Sequence, residues 1–500
     1  MNYTGTTIAK DGSIIPVRDA LCFHSKYNPA REAEQFAAQF ADGSSFFVVL
    51  GLCGGYHLAA LAKRFPQATL VAVEETDDDL HFLSALPPVQ ALLQNPRVIM
   101  TTKERFSLTL CQHFLPAEHT ALQIAALRSW ENAFPAVATE IKAMLNKTLS
   151  DISADFSVQS HFGGIWQRNI LQNLRHAATQ VPQTLTFPTR KIAAIIAAGP
   201  TLDDSWERLS ARRDDYYIIA TDTGYRALLR RGVVSDAVVC VDAQMVSHAH
   251  FFDLAPQTLC IFDLSAHPAC VRKAAGHKAT RRNAVLFIQT GHPLATYADE
   301  TGTSFPLIHA GSGTVTIAAA FFAIGAGFER LQFFGADFAY SRGKAYAKGS
   351  YLDDLYHTAS NRLNTAENQF NRLLYRTELH PCGNGVFTTD TLESYKNSLK
   401  IFLEANNFIK NADNIYIWHG DTRSAGAEKR RTGLAIQPFA YDVFARDYKR
   451  ALQDIASNGK QRGAAFLTLL PYIAWLKKRR HQQDFESLVR MAYQKTWEYV

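Results

Sequence analysis

The amino-acid sequence predicts an α/β protein with two Rossmann-like, doubly wound parallel-sheet domains, a helical connector and a helical C-terminal region. Two observations lead to this prediction. Short apolar runs alternate with helical segments in both halves of the chain, and glycines follow several of these runs where a strand would turn into a helix. The predicted segments are residues 1–116, 117–185, 186–421 and 438–500.

Composition limits the class of protein. The chain has 500 residues, of which 47% are hydrophobic, so it can bury more than one core. The formal net charge of +6 is small for this length and does not indicate a nucleic-acid partner. The seven cysteines show no C-x-x-C spacing, which indicates a reducing cytoplasm and no metal site. Neither a signal peptide nor a run of roughly twenty apolar residues is present, so no membrane association is expected.

The first predicted β-α-β unit begins with the apolar run FFVVLG. Gly51, Gly54 and Gly55 then allow a tight turn into the helix HLAALAKRF, and the strand ATLVAVEE ends in acids. Glu74 or Glu75 falls where a ribose-binding acid would close a nucleotide site. The glycines lack the full G-x-G-x-x-G spacing, and packing of the helix on the strand would require them equally. A nucleotide site and a plain scaffold therefore both remain open.

Two other regions are predicted to be helical. Apolar residues recur at steps of three to four between Ala117 and Gln183, which is typical of a helical connector. From about Pro438 the remaining chain has the same character, with a basic face that we interpret as solvated.

The central segment is the second predicted α/β domain. KIAAIIAAGPTL is a buried strand that runs into Gly199, Pro200 and Thr201, where a ligand could approach the backbone closely. Asp222 and Asp242 each follow an apolar strand, IIAT and VVCV. Since parallel strands end at one edge of a sheet, both carboxylates are expected to face the same crevice.

Two more motifs of this segment favour binding of an anion. Ser312 lies in GSGT ahead of an alanine-rich helix, where a helix N-terminus and hydroxyl donors would meet negative charge, although helix capping alone would also explain it. Asp337 follows the strand LQFF, and Tyr340 and Tyr346 then stand among arginine and lysine residues in a loop. Hydroxyl and cationic donors of this kind suit phosphate oxygens.

These motifs resemble the central domain of the motility-associated factor glycosyltransferases that modify flagellin. That family's central domain belongs to a group that also contains 6-hydroxymethylpterin diphosphokinases. The resemblance rests on AAGPTLD, on ATDTGYRALLRRGVVSDAVVCVDAQ and on GSGTVTIAAAFFAIGAGFERLQFFGADFAYSRGKAYA. HSKYNPAREAEQFA, VLGLCGGYHLAALAKRFPQATLVAVEE and HFGGIWQRNILQNL extend it over most of the chain.

The central domain is also similar to that of bacterial sialyltransferases with a CMP-activated donor, and this resemblance implies residue roles. It implies that Gly199 and Pro200 hold the nucleotide, that Ser312 meets the sugar carboxylate, and that Tyr340 and Tyr346 stabilise the departing phosphate. Ala198 replaces the amide that those enzymes have before the Gly-Pro pair, and aspartates stand near positions where they carry asparagines. Their general-base histidine has no clear match, and His380 is the candidate carried here.

The resemblance implies a cytoplasmic glycosyltransferase that moves a nonulosonic, sialic-acid-like sugar from a CMP-activated donor to Ser or Thr of flagellin. The CMP-sugar is then a donor substrate, and no cofactor is assigned. A pterin diphosphokinase that uses ATP and Mg²⁺ is one alternative, although VVCVDA offers a single acid where clustered carboxylates would suit the metal. A non-catalytic accessory protein that binds a nucleotide or sugar is another.

Overall fold

A computed structural model describes residues 2–119, 121–276, 283–301, 304–308, 314–420, 433–458 and 463–500. The chain forms two compact units. The first comprises Met1–His161 with Pro471–Val489, and the second comprises Phe162–Leu470 with Arg490–Val500. The four segments predicted from the sequence stay a prediction.

The first unit is built on a four-stranded parallel sheet. The strands, in chain order, are β1 (Gly5–Ile8), β2 (Ile14–Arg18), β3 (Leu21–Cys22), β4 (Phe46–Leu50), β5 (Thr69–Glu74), β6 (Val98–Thr102) and β7 (Leu122–Ala126). The helices are α1 (Pro29–Ala37), α2 (Tyr56–Arg64), α3 (Asp77–Ser84), α4 (Pro87–Leu93), α5 (Phe106–His113), α6 (Arg128–Ala133) and α7 (Pro135–Ala178), and the last continues into the second unit.

The parallel sheet has the strand order β6-β5-β4-β7, which is the order of a Rossmann half-domain. Every residue of β4 and β5 is buried, because helices cover both faces of a parallel sheet. A separate antiparallel sheet of β1, β2 and β3 was not anticipated.

The helical prediction between Ala117 and Gln183 is wrong at β7. Those residues pair with β4 in parallel register from Phe46 opposite Leu122 to Leu50 opposite Ala126. The segment is short and only partly buried, so its residues do not alternate clearly enough to be separated from the helical spacing that follows.

The second unit contains the longer sheet together with smaller sheets. The strands of this unit, over all of its sheets, are β8 (Gln183–Thr186), β9 (Ile192–Ile196), β10 (Tyr216–Thr221), β11 (Ala237–Cys240), β12 (Leu259–Asp263), β13 (Val285–Ile288), β14 (Arg330–Phe334), β15 (Tyr340–Ser341), β16 (His380–Gly383), β17 (Val386–Thr388), β18 (Phe408–Lys410), β19 (Ile415–Trp418) and β20 (Gly433–Ile436). Its first helices are α8 (Leu202–Ala211), α9 (Asp222–Leu229), α10 (Pro268–Ala275), α11 (Pro293–Glu300), α12 (Val315–Gly325), α13 (Tyr351–Thr358), α14 (Ala366–Leu374) and α15 (Asp390–Ala405).

Helices also fill the C-terminal part of the chain, as the sequence predicts. They are α16 (Tyr441–Asn458), α17 (Ala464–Leu467), α18 (Leu470–Arg479) and α19 (Phe485–Tyr499). None of the helices in the described part of the chain combines the length and the apolar character that a membrane span requires.

The long sheet of the second unit has the order β13-β12-β11-β10-β9-β14-β19-β18. The first six strands are parallel, and β19 and β18 extend the edge in antiparallel pairing. The direction in which successive strands are added reverses between β9 and β14. Such a switch point is where open α/β sheets bind ligands at the carboxyl ends of their strands.

Two buried asparagines of α7 position the loops at this edge of the sheet. The Asn169 side-chain amide donates to the carbonyls of Ala243 and Ser265, and that of Asn173 donates to the carbonyls of Leu264 and Ala266. The loops that follow β11 and β12 are therefore held by specific hydrogen bonds. Losing a buried bond of this kind leaves polar groups unsatisfied, at a cost of about 1–3 kcal/mol.

Candidate functional site

The candidate site lies at the switch point between β9 and β14. The Gly199 N–H donates to the Gly335 carbonyl at 2.8 Å, so the two strand-end turns touch through their backbones. A Cβ on Gly199 would lie 2.5 Å from that oxygen and 2.7 Å from the Asp337 side chain. Pro200 follows and is buried. Glycine is thus required here by the protein's own packing, independently of any ligand.

Thr201 and Asp337 join the same two turns through side chains. The Thr201 N–H donates to Asp337 Oδ2 at 2.8 Å, and the Thr201 hydroxyl donates to Oδ1. Burial raises the pKa of Asp337 above its usual value, while the hydrogen bonds from Thr201 act in the opposite direction. Both oxygens of this carboxyl group are therefore engaged within the protein.

The loop that carries Tyr346 is fastened to the turn after β9. The Ala347 N–H donates to the Ala198 carbonyl at 2.7 Å, and the Lys348 N–H donates to Asp203 Oδ1 at 3.1 Å. Arg231 donates to the Lys348 carbonyl at 2.7 Å and forms an ion pair with Asp203. The backbone on the C-terminal side of Tyr346 is consequently held by hydrogen bonds with the side chains of both Asp203 and Arg231.

Arg342 adds a more exposed contact between the same loop and α8. Its guanidinium donates two parallel hydrogen bonds to the Asp204 carboxylate, each 2.9 Å long. Most of the surface of both side chains is open to solvent, so this pair contributes less than the pair of Asp203 with Arg231.

The two predicted tyrosines lie in the segment that follows Asp337. Tyr340 begins β15 and lies opposite Phe387 of β17, and both tyrosine side chains are partly buried. Burial raises the pKa of Tyr346, and the charges of Tyr340 and Asp222 act in the same direction. The Tyr346 hydroxyl therefore stays protonated at neutral pH and can donate a hydrogen bond.

Asp222 and Asp242 lie at the ends of neighbouring strands, β10 and β11, as predicted. Asp222 is buried, and burial raises its pKa above the usual value. Asp242 accepts hydrogen bonds from the Gln244 N–H at 3.0 Å and from the Ser247 hydroxyl at 2.6 Å. The Asp242 charge also acts to raise the pKa of Asp222.

A third acid, Asp263, ends the next strand and was missed by the sequence analysis. It is buried at the end of β12, accepts from the Ser265 N–H at 2.7 Å, and has its pKa raised by burial. The signal that identified Asp222 and Asp242, an acid directly after an apolar run, was present here as well. In the described ranges, no set of three or more His, Cys, Asp or Glu side chains is arranged to hold a metal ion.

Of the two remaining predicted site residues, the structure describes His380 but not Ser312. His380 begins β16, two strands from Tyr340 in the small sheet β15-β17-β16, and its Nε2 lies 2.9 Å from Asp390 Oδ1. The Asp390 side chain is almost fully exposed. Ser312 lies outside the described residues, so its role stays a prediction.

The glycine-rich turn of the first unit is filled by the chain itself. Glu74 Oε1 accepts from the Leu52 N–H at 2.5 Å, from the Cys53 N–H at 3.3 Å and from the Tyr3 hydroxyl at 3.0 Å. Glu74 is buried, and this raises its pKa from 4.5 to about 7. The Glu74 carboxyl group accepts hydrogen bonds from backbone N–H groups that could otherwise bind a ligand anion.

The three glycines of this turn also have packing partners. A Cβ on Gly51 would lie 2.4 Å from the Trp130 ring, one on Gly54 would lie 2.9 Å from Tyr56, and one on Gly55 would lie 3.0 Å from Val89. These contacts and the role of Glu74 favour the scaffold alternative, and nucleotide binding by the first unit stays a prediction.

Comparison with known protein families identifies the central segment. Residues 168–343 match the family model described as 6-hydroxymethylpterin diphosphokinase MptE-like. Two uncharacterised proteins of Treponema pallidum (strain Nichols) are similar in sequence. One is 34% identical over 152 residues, which are 30% of this chain and 72% of the relative. The other is 29% identical over 239 residues, or 46% of this chain and 74% of the relative.

A solved structure shares the fold over the whole chain. The Maf glycosyltransferase from Magnetospirillum magneticum AMB-1 superposes with a TM-score of 0.57 and covers 100% of this chain and 91% of its own. Sequence identity is 14%, so this comparison establishes the fold alone. The predicted resemblance to the motility-associated factors with an MptE-like domain is confirmed, as is the predicted α/β fold class.

Removing the Asp203 carboxylate should loosen the loop that carries Tyr346. Asp203→Ala leaves Arg231 partly buried without its ion-pair partner, and we expect the free energy of unfolding to fall by about 1–3 kcal/mol. Limited trypsin digestion should then cleave faster after Lys344 and Lys348. Asp215→Ala removes the exposed pair with Arg212 and serves as the control, with unchanged digestion expected. Equal cleavage in both variants would show that Asp203 does not hold the loop.

Glu74 should make stability depend on pH. Its folded pKa of about 7 lies above the unfolded value near 4.5, so the folded state binds the proton more tightly and stability falls as pH rises between these values. Glu74→Gln keeps the Oε1 acceptor and removes the titration. Relative to this variant, the wild type should lose up to about 3 kcal/mol from pH 5 to pH 8 in chemical denaturation. The exposed Glu104→Gln is the control, and parallel curves for wild type and Glu74→Gln would contradict the assignment.

Proposed function

The chain belongs to the Maf-like family of proteins with an MptE-like domain, and from this premise we propose that it is a glycosyltransferase. The proposed donor is a CMP-activated nonulosonic sugar, and the proposed acceptor is a Ser or Thr hydroxyl of flagellin. The observation that carries the proposal is the attachment of the tyrosine loop to the Gly199 turn at the switch point, through the 2.7 Å bond from Ala347 to Ala198. On this proposal, the hydroxyls of Tyr340 and Tyr346 would lie near the nucleotide phosphate.

Cleavage of the glycosidic bond in a CMP-sugar leaves negative charge on the phosphate. The protonated Tyr346 hydroxyl, together with that of Tyr340, would donate hydrogen bonds to the developing charge. The loop is held before substrate arrives, so these donors need little reorganisation during the reaction. Ser312 would meet the sugar carboxylate, and the Asp222 and Asp242 carboxyl groups would orient ribose or sugar hydroxyls.

An ATP-dependent pterin diphosphokinase remains the second candidate, because the family model of the central segment carries that description. Such an enzyme needs carboxylates that are free to bind Mg²⁺. Asp263 Oδ1 already accepts a backbone N–H, and Asp242 accepts two hydrogen bonds within its own loop. In the described residues, no group of three or more His, Cys, Asp or Glu side chains is arranged to hold a metal ion, so nothing here specifically supports this second candidate.

Nucleotide binding and turnover distinguish the two functions. We expect CMP to raise the melting temperature more than ATP with Mg²⁺ does, and CMP-N-acetylneuraminate to release CMP when flagellin is added. UDP- and GDP-sugars serve as the control donors in this assay. Formation of AMP from ATP and hydroxymethyldihydropterin, with no CMP release, would support the diphosphokinase instead.

The two tyrosines should affect the rate of transfer rather than donor affinity. Tyr340→Phe and Tyr346→Phe each keep the ring and remove one hydrogen-bond donor to the developing charge. We expect each to lower kcat by roughly 10- to 1000-fold, with little change in donor Kd. The double variant should be less than additive if both hydroxyls serve one phosphate. Wild-type turnover by the double variant would leave both rings as packing residues.

A further inference from the structure

Three large apolar side chains are exposed together at the carboxyl edge of the long sheet. They belong to the 3₁₀ segment Met245–Phe251 and to Phe252, which ends it, directly after β11. Met245 is 60% exposed, Val246 47% and Phe252 50%. Side chains three residues apart eclipse one another in a 3₁₀ helix, so Val246 and Phe252 lie on the same face. We call these three side chains the apolar patch. Single exposed apolar residues are common, but a group of them marks an interaction site.

The segment that presents the apolar patch is anchored to the protein. Asp242 accepts a hydrogen bond from the Ser247 hydroxyl at 2.6 Å, and the Phe251 ring packs on Phe262 of β12 with centroids 5.4 Å apart. The side of the segment that faces the protein is buried, and its residues are Ser247, Ala249, His250 and Phe251. The apolar patch is therefore held in solvent by a fixed backbone rather than by a loose loop.

The apolar patch borders the candidate site. Asp242, which holds the segment, is one of the predicted strand-end acids. The segment packs against α9, which begins with Asp222, and the His250 ring lies 5.5 Å from the ring of Tyr351. Tyr351 begins α13, which follows the loop that carries Tyr346. A large acceptor whose hydroxyl enters this site would extend over the neighbouring surface, where the apolar patch lies.

Positive charge accompanies the apolar patch. The segment also packs against α10, on which Arg272 and Lys273 are exposed. Burial lowers the pKa of His248, and the charges of Lys273 and Arg272 act in the same direction. The His248 ring in turn contacts the Phe252 ring, with centroids 5.2 Å apart. Asp253, the acid next to Phe252, lies 3.5 Å from Arg226. The surface is thus complementary to a partner with apolar and acidic side chains.

We propose that the apolar patch, with Arg272 and Lys273, docks the protein acceptor through a segment that carries apolar and acidic side chains, an inference that rests on the proposed glycosyl transfer. Burial of the apolar patch supplies affinity, and the flexible Met245 side chain can adapt to the bound chain. The positive charges orient the acceptor and speed its association. Three side chains fall short of the roughly 800 Å² per partner that a stable dimer buries, whereas a transient contact between enzyme and substrate needs less.

The first test replaces the apolar patch and measures binding of flagellin, the proposed acceptor. The triple variant Met245→Gln, Val246→Gln and Phe252→Gln should raise the flagellin KM by roughly 10- to 100-fold, because it removes the apolar contacts. The kcat at saturating flagellin and the donor Kd should stay close to wild type. Calorimetric titration of flagellin without donor should show the same loss of affinity. Ile409→Gln on β18 is the matched control, since Ile409 is 58% exposed and lies outside the apolar patch.

The second test addresses charge. Arg272→Glu combined with Lys273→Glu should raise the flagellin KM and weaken flagellin binding. The wild-type KM should rise as salt is added, and this dependence should be reduced in the charge variant, because salt screens exposed charges. Lys396→Glu combined with Lys400→Glu, two exposed positions on α15, is the control and should leave the flagellin KM unchanged.

Several results would overturn the proposal. Wild-type flagellin binding in both the triple and the charge variant would remove the docking surface and leave the glycosyltransferase intact. A dimer that becomes monomeric in the triple variant, with flagellin binding unchanged, would assign the apolar patch to a second copy of this chain. Lost binding to phosphatidylglycerol vesicles, with flagellin binding unchanged, would assign it to a membrane. A weakened donor Kd in the triple variant would assign it to donor binding.

Two further outcomes are separable. If the triple variant does not fold, the charge variant and the salt dependence of the wild type decide. A wild type that turns over no nucleotide-sugar would remove the proposed function itself, and calorimetric titration of flagellin would still test the docking surface.

Discussion

The site depends on a close approach between two backbone turns at the switch point of the long sheet. Gly199 and Gly335 meet through a 2.8 Å hydrogen bond, and a side chain at either glycine would lie within about 2.6 Å of a carbonyl oxygen. Because the turns touch, Asp337 can reach Thr201 across them. The tyrosine loop that follows Asp337 then returns to Ala198 by a further backbone bond. One steric requirement therefore determines where the proposed donors lie.

The acids of the two units show that position at a strand end does not decide a carboxyl group's role. Glu74 and Asp263 are buried, Asp337 is partly buried, and each accepts a hydrogen bond from a backbone N–H group of its own unit. Asp222 is also buried and accepts from the Thr223 N–H at 2.7 Å, and its charge acts on Tyr346 as well. Burial raises the pKa of all four groups, so a raised pKa alone would not have separated structural acids from candidate catalytic ones.

Positioning of the crevice relies on residues remote in sequence from its motifs. Asn169 and Asn173 on α7 hold the loops after β11 and β12, and Arg231 at the end of α9 holds the tyrosine loop. Each side chain bonds carbonyl groups that no strand or helix satisfies. The chain thus distributes the support of one crevice over several elements, and the loops can present side chains in fixed places.

The sequence by itself determined the α/β class, the buried strands and the strand ends at which Asp222, Asp242 and Asp337 lie, because apolar runs and the glycines after them are local features. It could not assign β7 to the first sheet, since a short, half-buried strand resembles the helical spacing that follows it. Nor could it tell whether Glu74 binds a ribose or accepts hydrogen bonds from the glycine-rich turn, as it does in the structure. The hydrogen bonds between Thr201 and Asp337 were decided only by tertiary structure. These two residues are 136 positions apart, and the parallel pairing of β9 with β14 brings them together.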